Sequence, residues 1–421
     1  MSEVSAPPAI SLVKPRQFAG FNGLRAIAVV CVVVLHTAAQ SRYSMRAPLG
    51  FLTARGDVGV TIFFLISGFL LYRPFAVSNL AGLDRPNPLR YFERRLLRII
   101  PAYWLALTVL AVMGQISLGG GWQGLVTHYF FLQIYFPHAI FSGITPAWSL
   151  CTEMSFYLFL PFYAAAIGYR RKTERSQLRR ELIGIAGMFV ISFGVRFWLL
   201  SQPIFKAVNG HVVAICTPHC RTHPPISSLV STWLPARIDL FGAGMLIALL
   251  SAWYAGHRNE PRFLSNRWMP SMSWLLAICA FVVSGLLITD HHIINFTSLR
   301  VRMLAEPLSV FTAFFLIVPA VFGPQDRSVV RWLLRCWPVA SLGVVSYGIY
   351  LWHLNIMFMV RNFIRGHHYW MTFFHVFAPT LALATLVATI SYFVVEKPAL
   401  RLKGRLAWWS SPSAATEDRS Q

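Results

Sequence analysis

The chain has 421 residues, 56% of them hydrophobic and only 12% charged, with a mean hydropathy of +0.55, which excludes a soluble core and points to a polytopic membrane protein. A net charge of +22 raises nucleic acid as a partner, but Lys and Arg cluster in short polar segments between apolar runs, where the positive-inside rule places them; nucleic acid is excluded, and the charge is read as topology, anionic headgroup contact and a share for a phosphorylated cofactor. The six Cys are scattered, mostly inside apolar runs, so no metal framework or disulfide scaffold is evident.

In chain order, residues 1–20 form a polar tail. No cleavage site is evident, so the first apolar run, 21–40, stays as the first span. The second span is 58–76, followed by a strongly basic loop, 77–98. The third is 99–114, with Pro101 in its first turn, where a missing N–H costs little. Residues 115–146 are too short and broken for a span and read as an interfacial or re-entrant segment. Spans four to ten follow at about 147–168, 182–200, 233–254, 271–289, 303–322, 339–363 and 373–395. The domain so defined is 21–400, with a basic tail at 401–421. Loops 77–98, 169–181, 255–270 and 323–338 and both tails are the richer in Lys and Arg, which puts both termini in the cytoplasm.

The ionisable residues inside these spans are the candidates for function. Arg25 and His36 are eleven residues apart in the first span, so they share a helix face with roughly 16 Å of rise between them. They serve a polar interior, unless Arg25 snorkels to one interface and His36 sits at the other. Glu153 lies near the outer end of span four, at the expected depth of His36. It either orients that imidazole for general-base work on a hydroxyl or forms a structural ion pair with an arginine. Asp57, also outside, is a second partner for His36 or a helix N-cap. Arg95 and Arg98 share a face at the start of span three, where guanidiniums suit phosphates; an ordinary basic flank is the plainer reading. Ser67 and Gly68 allow close helix packing or line an acyl channel. Ser346, Tyr347, Tyr350 and His353 form a polar stripe in span nine. Cys216 and Cys220, in the largest outer loop, allow a disulfide or, with nearby histidines, a metal. No Walker A, dinucleotide fingerprint or nucleophile elbow is present.

The Arg25-x10-His36 pair, FFLISGF, RRLLRIIP, WSLCTEMSFY, SYGIYLWH and VEKPALRL, in that order over about residues 20–403, resemble the membrane acyltransferase-3 family of O-acyltransferases. The resemblance implies an all-α integral membrane bundle of about ten helices. It implies an acyl-CoA donor, usually acetyl-CoA, engaged from the cytoplasm as a substrate rather than a resident cofactor. It also implies an acceptor hydroxyl on a saccharide, glycolipid or macrolide. Carried onto this chain, His36 is the base, Arg25 its partner on the helix, Arg95 and Arg98 the donor-binding pair and Glu153 the acidic residue. Ser67, Ser346, Tyr350 and Glu396 match further motif positions. Thr61 departs from the acidic or amide residue often found before the FF of span two, which leaves Asp57 as a substitute or the role unfilled. The expected catalytic set is His36, Glu153 and Asp57. The expected donor set is Arg25, Arg95, Arg98, Ser67, Ser346 and Tyr350, with no metal. The donor arm would thread between spans one, two and nine towards His36, which either deprotonates the acceptor or carries the acyl group. The expected location is the inner (plasma) membrane. A transporter of a glycan or acylated metabolite is the competing reading, and the lack of internal repeats counts against it.

Overall fold

The computed structural model describes residues 18–41, 43, 49–84, 86–168, 173–201, 205–208, 211–214, 226–257, 260–289, 299–325, 328–366 and 372–402. Among these, nine helices are long and apolar enough to cross a membrane, and a bent pair, counted as one span, makes a tenth. The chain is an all-α, multi-pass membrane bundle.

Its elements are α1 Gly20–Gln40, α2 Val58–Ala81, α3 Pro88–Val112, the short α4 Gly121–Tyr129, α5 Trp148–Ile167, α6 Glu174–Ser201 and α7 Leu234–His257. Then come α8 Met269–Thr289, α9 Leu299–Val321, α10 Val329–Arg335, α11 Trp337–Val344, α12 Ser346–Gly366 and α13 Phe373–Ser391. A π-helical turn, Tyr392–Glu396, leads into α14 Lys397–Arg401. In the large loop before α7, β1 Phe205–Val208 pairs antiparallel with β2 His211–Ala214.

Burial sorts the helices. The apolar window of α7 is 78% buried and that of α2 61%, against 28% for α6, α8 and α13. Hence α7 and α2 form the centre, and the other three turn side chains such as Val190, Phe193 and Leu386 outward to lipid. The central contact is backbone against backbone. A Cβ at Gly68 would collide with the Phe241 carbonyl oxygen, and one at Gly244 with that of Leu65. In lipid, where apolar surface gains nothing from burial, such close approach is the main source of helix association. Gly68→Val is therefore expected to destabilise the bundle by about 3 kcal/mol. A thermal unfolding scan in detergent should show it as a lowered midpoint, whereas Val190→Leu, on the lipid-facing side of α6, should leave the midpoint unchanged.

The sequence boundaries shift in physically explicable ways. The basic stretch 88–98 is helical, not loop. Asn87 caps it, its side chain accepting from the backbone N–H of Leu89 (2.8 Å) and Arg90 (3.3 Å), and Pro88 follows at the first position. Pro101 consequently lies inside α3 rather than in its first turn. Two residues before it, the Ile99 carbonyl accepts the Tyr347 hydroxyl at 2.9 Å. Span five likewise starts early, at Glu174. Span nine is broken: α11 and α12 meet at a 73° bend. The reason is local crowding, since Gly343 packs so closely on the Asn22 carbonyl that a Cβ would collide with it, and Ser346 donates to the Gly343 carbonyl at 2.8 Å. Residues 115–146 form α4 and a string of turns that do not cross the bundle as one helix; Gln133 and Ile134 are buried, while Trp122, Leu125, Phe130 and Phe141 are exposed. Cys216, Cys220 and the tail from residue 403 lie outside the described residues.

Candidate active site

Helices α1, α2, α3, α5 and α12 enclose a cavity of about 750 Å³. Seven of the nine candidate residues line it: Arg25, Ser67, Arg95, Arg98, Glu153, Ser346 and Tyr350. They arrive from five helices, so the cavity assembles residues scattered over more than 300 positions of the sequence.

The cations dominate it. Arg25, Arg95 and Arg98 lie close enough to repel one another. Arg25 donates to the Asn22 side chain at 3.0 Å, and Arg95 Nε is buried with no hydrogen-bond partner among the described residues. Facing them is Glu153, whose Oε1 accepts the hydroxyls of Ser67 and, at 2.6 Å, Tyr157. Glu396, in the π-helical turn, is buried and faces Arg98. Three guanidiniums against two carboxylates leave positive charge over in a half-closed space, where an anion is the natural complement.

The wall opposite is polar but neutral. The Tyr350 hydroxyl donates to the Pro146 carbonyl at 2.8 Å and pairs with Ser149 at 2.7 Å. Ser346 is held by its bond to Gly343. Apolar side chains of α2, among them Phe63, Phe64 and Ile66, complete the lining. A second groove, of about 700 Å³, meets the first at Leu70 and Arg95 and carries Asn87, Arg90, Tyr91 and Arg94.

His36 and Asp57 are placed elsewhere. His36 Nδ1 meets His353 Nε2 at 3.0 Å, with ring centroids 5.0 Å apart. The expected meeting of Glu153 and His36 is not seen: Glu153 lines the cavity with the arginines, whereas His36 meets His353. Glu153 lies within electrostatic range of the arginines, but its hydrogen bonds come from Ser67 and Tyr157. Asp57 stands at the N-cap position of α2, but its side chain makes no capping bond. It pairs with Arg55 at 3.1 Å rather than with His36. Arg55 also bonds Ser309 and, at 3.4 Å, the Ala305 carbonyl, so this pair ties the start of α2 to α9. Thr61, the departure from the resembled pattern, is buried in α2.

The geometry adds residues that the sequence left out of the site. Tyr157 is four residues from Glu153 on one helix face, a spacing that could have flagged it. His353, already in the polar stripe of span nine, is the partner of His36. Ser149 and the groove arginines Arg90 and Arg94 carried no signal beyond their basic or small character.

The cavity places three arginines and Glu153, from three helices, inside a multi-pass membrane bundle. A sequence model described as an acyltransferase domain matches residues 18–393. The chain belongs to the acyltransferase-3 family, and it is an acyltransferase. It is 24% identical to the acyltransferase MdmB of Streptomyces mycarofaciens over 417 residues, covering 91% of this chain and 92% of that one. It is 23% identical to the O-acetyltransferase OatA of Staphylococcus aureus over 429 residues, covering 96% of this chain but 60% of that one. No solved structure matches the chain.

Proposed function

We propose that the protein transfers an acyl group, acetyl in the simplest case, from cytoplasmic acyl-CoA to a hydroxyl of an extracytoplasmic saccharide, glycolipid or macrolide. The observation that carries this reading is the surplus of guanidinium charge around the cavity, with Arg95 Nε buried and without a hydrogen-bond partner among the described residues. Acyl-CoA is polyanionic at one end and apolar along its arm, and no phosphate enters hydrocarbon unpaired. Its phosphates would lie against Arg95 and Arg98 where the cavity meets the groove, with the exposed Arg90 and Arg94 adding charge at the entrance, and its arm would follow the apolar side chains of α2 through the cavity. The charge distribution of the loops supports a cytoplasmic position for that end, with the protein in the plasma membrane. The relatives' names, an acyltransferase and an O-acetyltransferase, support O-acetyl transfer.

The roles then divide. Ser67 and Tyr157 hold Glu153 in place, and Glu153 keeps the guanidiniums ordered while no donor is bound. Tyr350 closes the inner wall towards His353, its ring centroid 5.8 Å from that imidazole. Beyond lies His36, which serves as general base. Its free nitrogen takes the acceptor's hydroxyl proton as the oxygen forms a bond to the thioester carbonyl carbon. The carbon–sulfur bond then breaks, and the proton leaves with the CoA thiol. Asp57, tied to Arg55, has no part in the proton transfer.

Proteoliposomes given acetyl-CoA labelled in the acetyl group test the reading. The expected result is label in a hydroxylated acceptor, with one free thiol released for each acetyl moved. Acceptor flux across the vesicle without thiol release would replace this reading with transport.

A further inference from the structure

We infer that His353 is a positioning residue: it holds the proton of His36 on Nδ1 and so leaves Nε2 of His36 as the basic atom. The inference rests on His36 being the base, and it follows from where the second imidazole's hydrogen must be.

His353 is fully buried on α12. Its Nδ1 lies 2.8 Å from the Tyr350 carbonyl oxygen and 3.2 Å from that of Ile349. Two carbonyl oxygens can only accept. An unprotonated Nδ1 there would set lone pair against lone pair in a fully buried site, so Nδ1 carries the hydrogen. In a neutral imidazole the other nitrogen, Nε2, is then an acceptor. The group that faces it at 3.0 Å is Nδ1 of His36, which must be the donor. With Nδ1–H engaged, the lone pair of His36 is on Nε2. His36 remains partly accessible, whereas His353 does not, so the exposed ring is the one with its basic atom unengaged.

The arrangement resembles in logic a carboxylate that orients a catalytic imidazole, but with a neutral acceptor. No carboxylate is needed near His36, which explains how Glu153 can serve the arginines and Asp57 can serve Arg55. A neutral partner also places no second charge in the membrane. The same helix thus serves both halves of the site. Tyr350 lines the donor cavity through its side chain and fixes the His353 hydrogen through its carbonyl.

The test is a pair of substitutions read by two methods in nanodiscs. Glutamine at position 353 can still accept from His36 through its amide oxygen; phenylalanine fills the space but cannot. His353→Phe is expected to lower kcat by about 100-fold with KM for acetyl-CoA unchanged, and His353→Gln to recover most of that loss. Histidine-selective 15N NMR, with the His36 signals assigned by their absence in His36→Asn, should show wild-type His36 protonated on Nδ1 and a shift towards Nε2 protonation in His353→Phe. Unchanged His36 nitrogen signals in His353→Phe would overturn the coupling. So would equal losses in the two variants, which would mark His353 as packing alone. Full turnover by His36→Asn would instead overturn the base assignment, whatever the spectra show.

Discussion

His36→Asn is expected to reduce acyl transfer by about 1,000-fold while acetyl-CoA binding stays unchanged. The two effects separate because the two places are separate. His36 does not line the cavity that holds Arg25, Arg95 and Arg98, and its side-chain partner is a neutral imidazole rather than any group of the donor site. Loss of the base removes an interaction made only as the hydroxyl loses its proton, so it should appear in kcat and leave the donor's KM alone. Asparagine is the informative replacement, because its side-chain amide can still donate towards His353 Nε2 and so keeps α1 and α12 together. Turnover by single-turnover acetyl transfer and binding by calorimetry check the two halves. If binding falls along with transfer, His36 belongs to the donor site and the division of roles is wrong.

Much of this arrangement is legible in the sequence because membrane physics makes it so. A span is a run of about 20 apolar residues whatever its neighbours, and each charge inside one must be accounted for. That is why Arg25 and Glu153 stand out inside their spans; Arg95 and Arg98, in the basic stretch ahead of span three, stand out by their shared helix face and by the resemblance, and all four share a cavity. Depth is harder. Counting from an assumed interface sets Glu153 level with His36, yet Glu153 joins the cavity of Arg25, Arg95 and Arg98 while His36 meets His353. Hydropathy cannot see that, since which helices meet is tertiary information. The break between α11 and α12 is invisible for a similar reason. It is set by the approach of Gly343 to the Asn22 carbonyl, a contact between residues over 300 positions apart. The meeting of His36 with His353 needs the same tertiary information, for both residues look alike as lone histidines in apolar runs.

The second large effect is on donor binding. Arg95→Ala with Arg98→Ala is expected to weaken acetyl-CoA binding by at least about 100-fold, or about 3 kcal/mol. Arg95 and Arg98 are partly buried, and an anion paired there is shielded from solvent ions, so the loss should persist as salt is raised. Arg90 and Arg94 make a contrast, because both are exposed on the groove. Their double substitution by alanine should weaken binding by only about tenfold at low ionic strength, and the difference from wild type should shrink as salt screens it. Removing two of the three guanidiniums near Glu153 has its own consequence. The carboxylate keeps its hydroxyl partners from Ser67 and Tyr157 and the nearby charge of Arg25, but it loses part of its countercharge, so part of the measured effect is the cost of a less compensated carboxylate. Adding Glu153→Gln to the Arg95, Arg98 double variant isolates that part. Thermal stability should recover in the triple variant and donor affinity should not, because only the arginines complement the phosphates. Recovery of affinity together with stability would mean that the guanidiniums act on the fold alone, and the donor site would have to be sought in another part of the bundle.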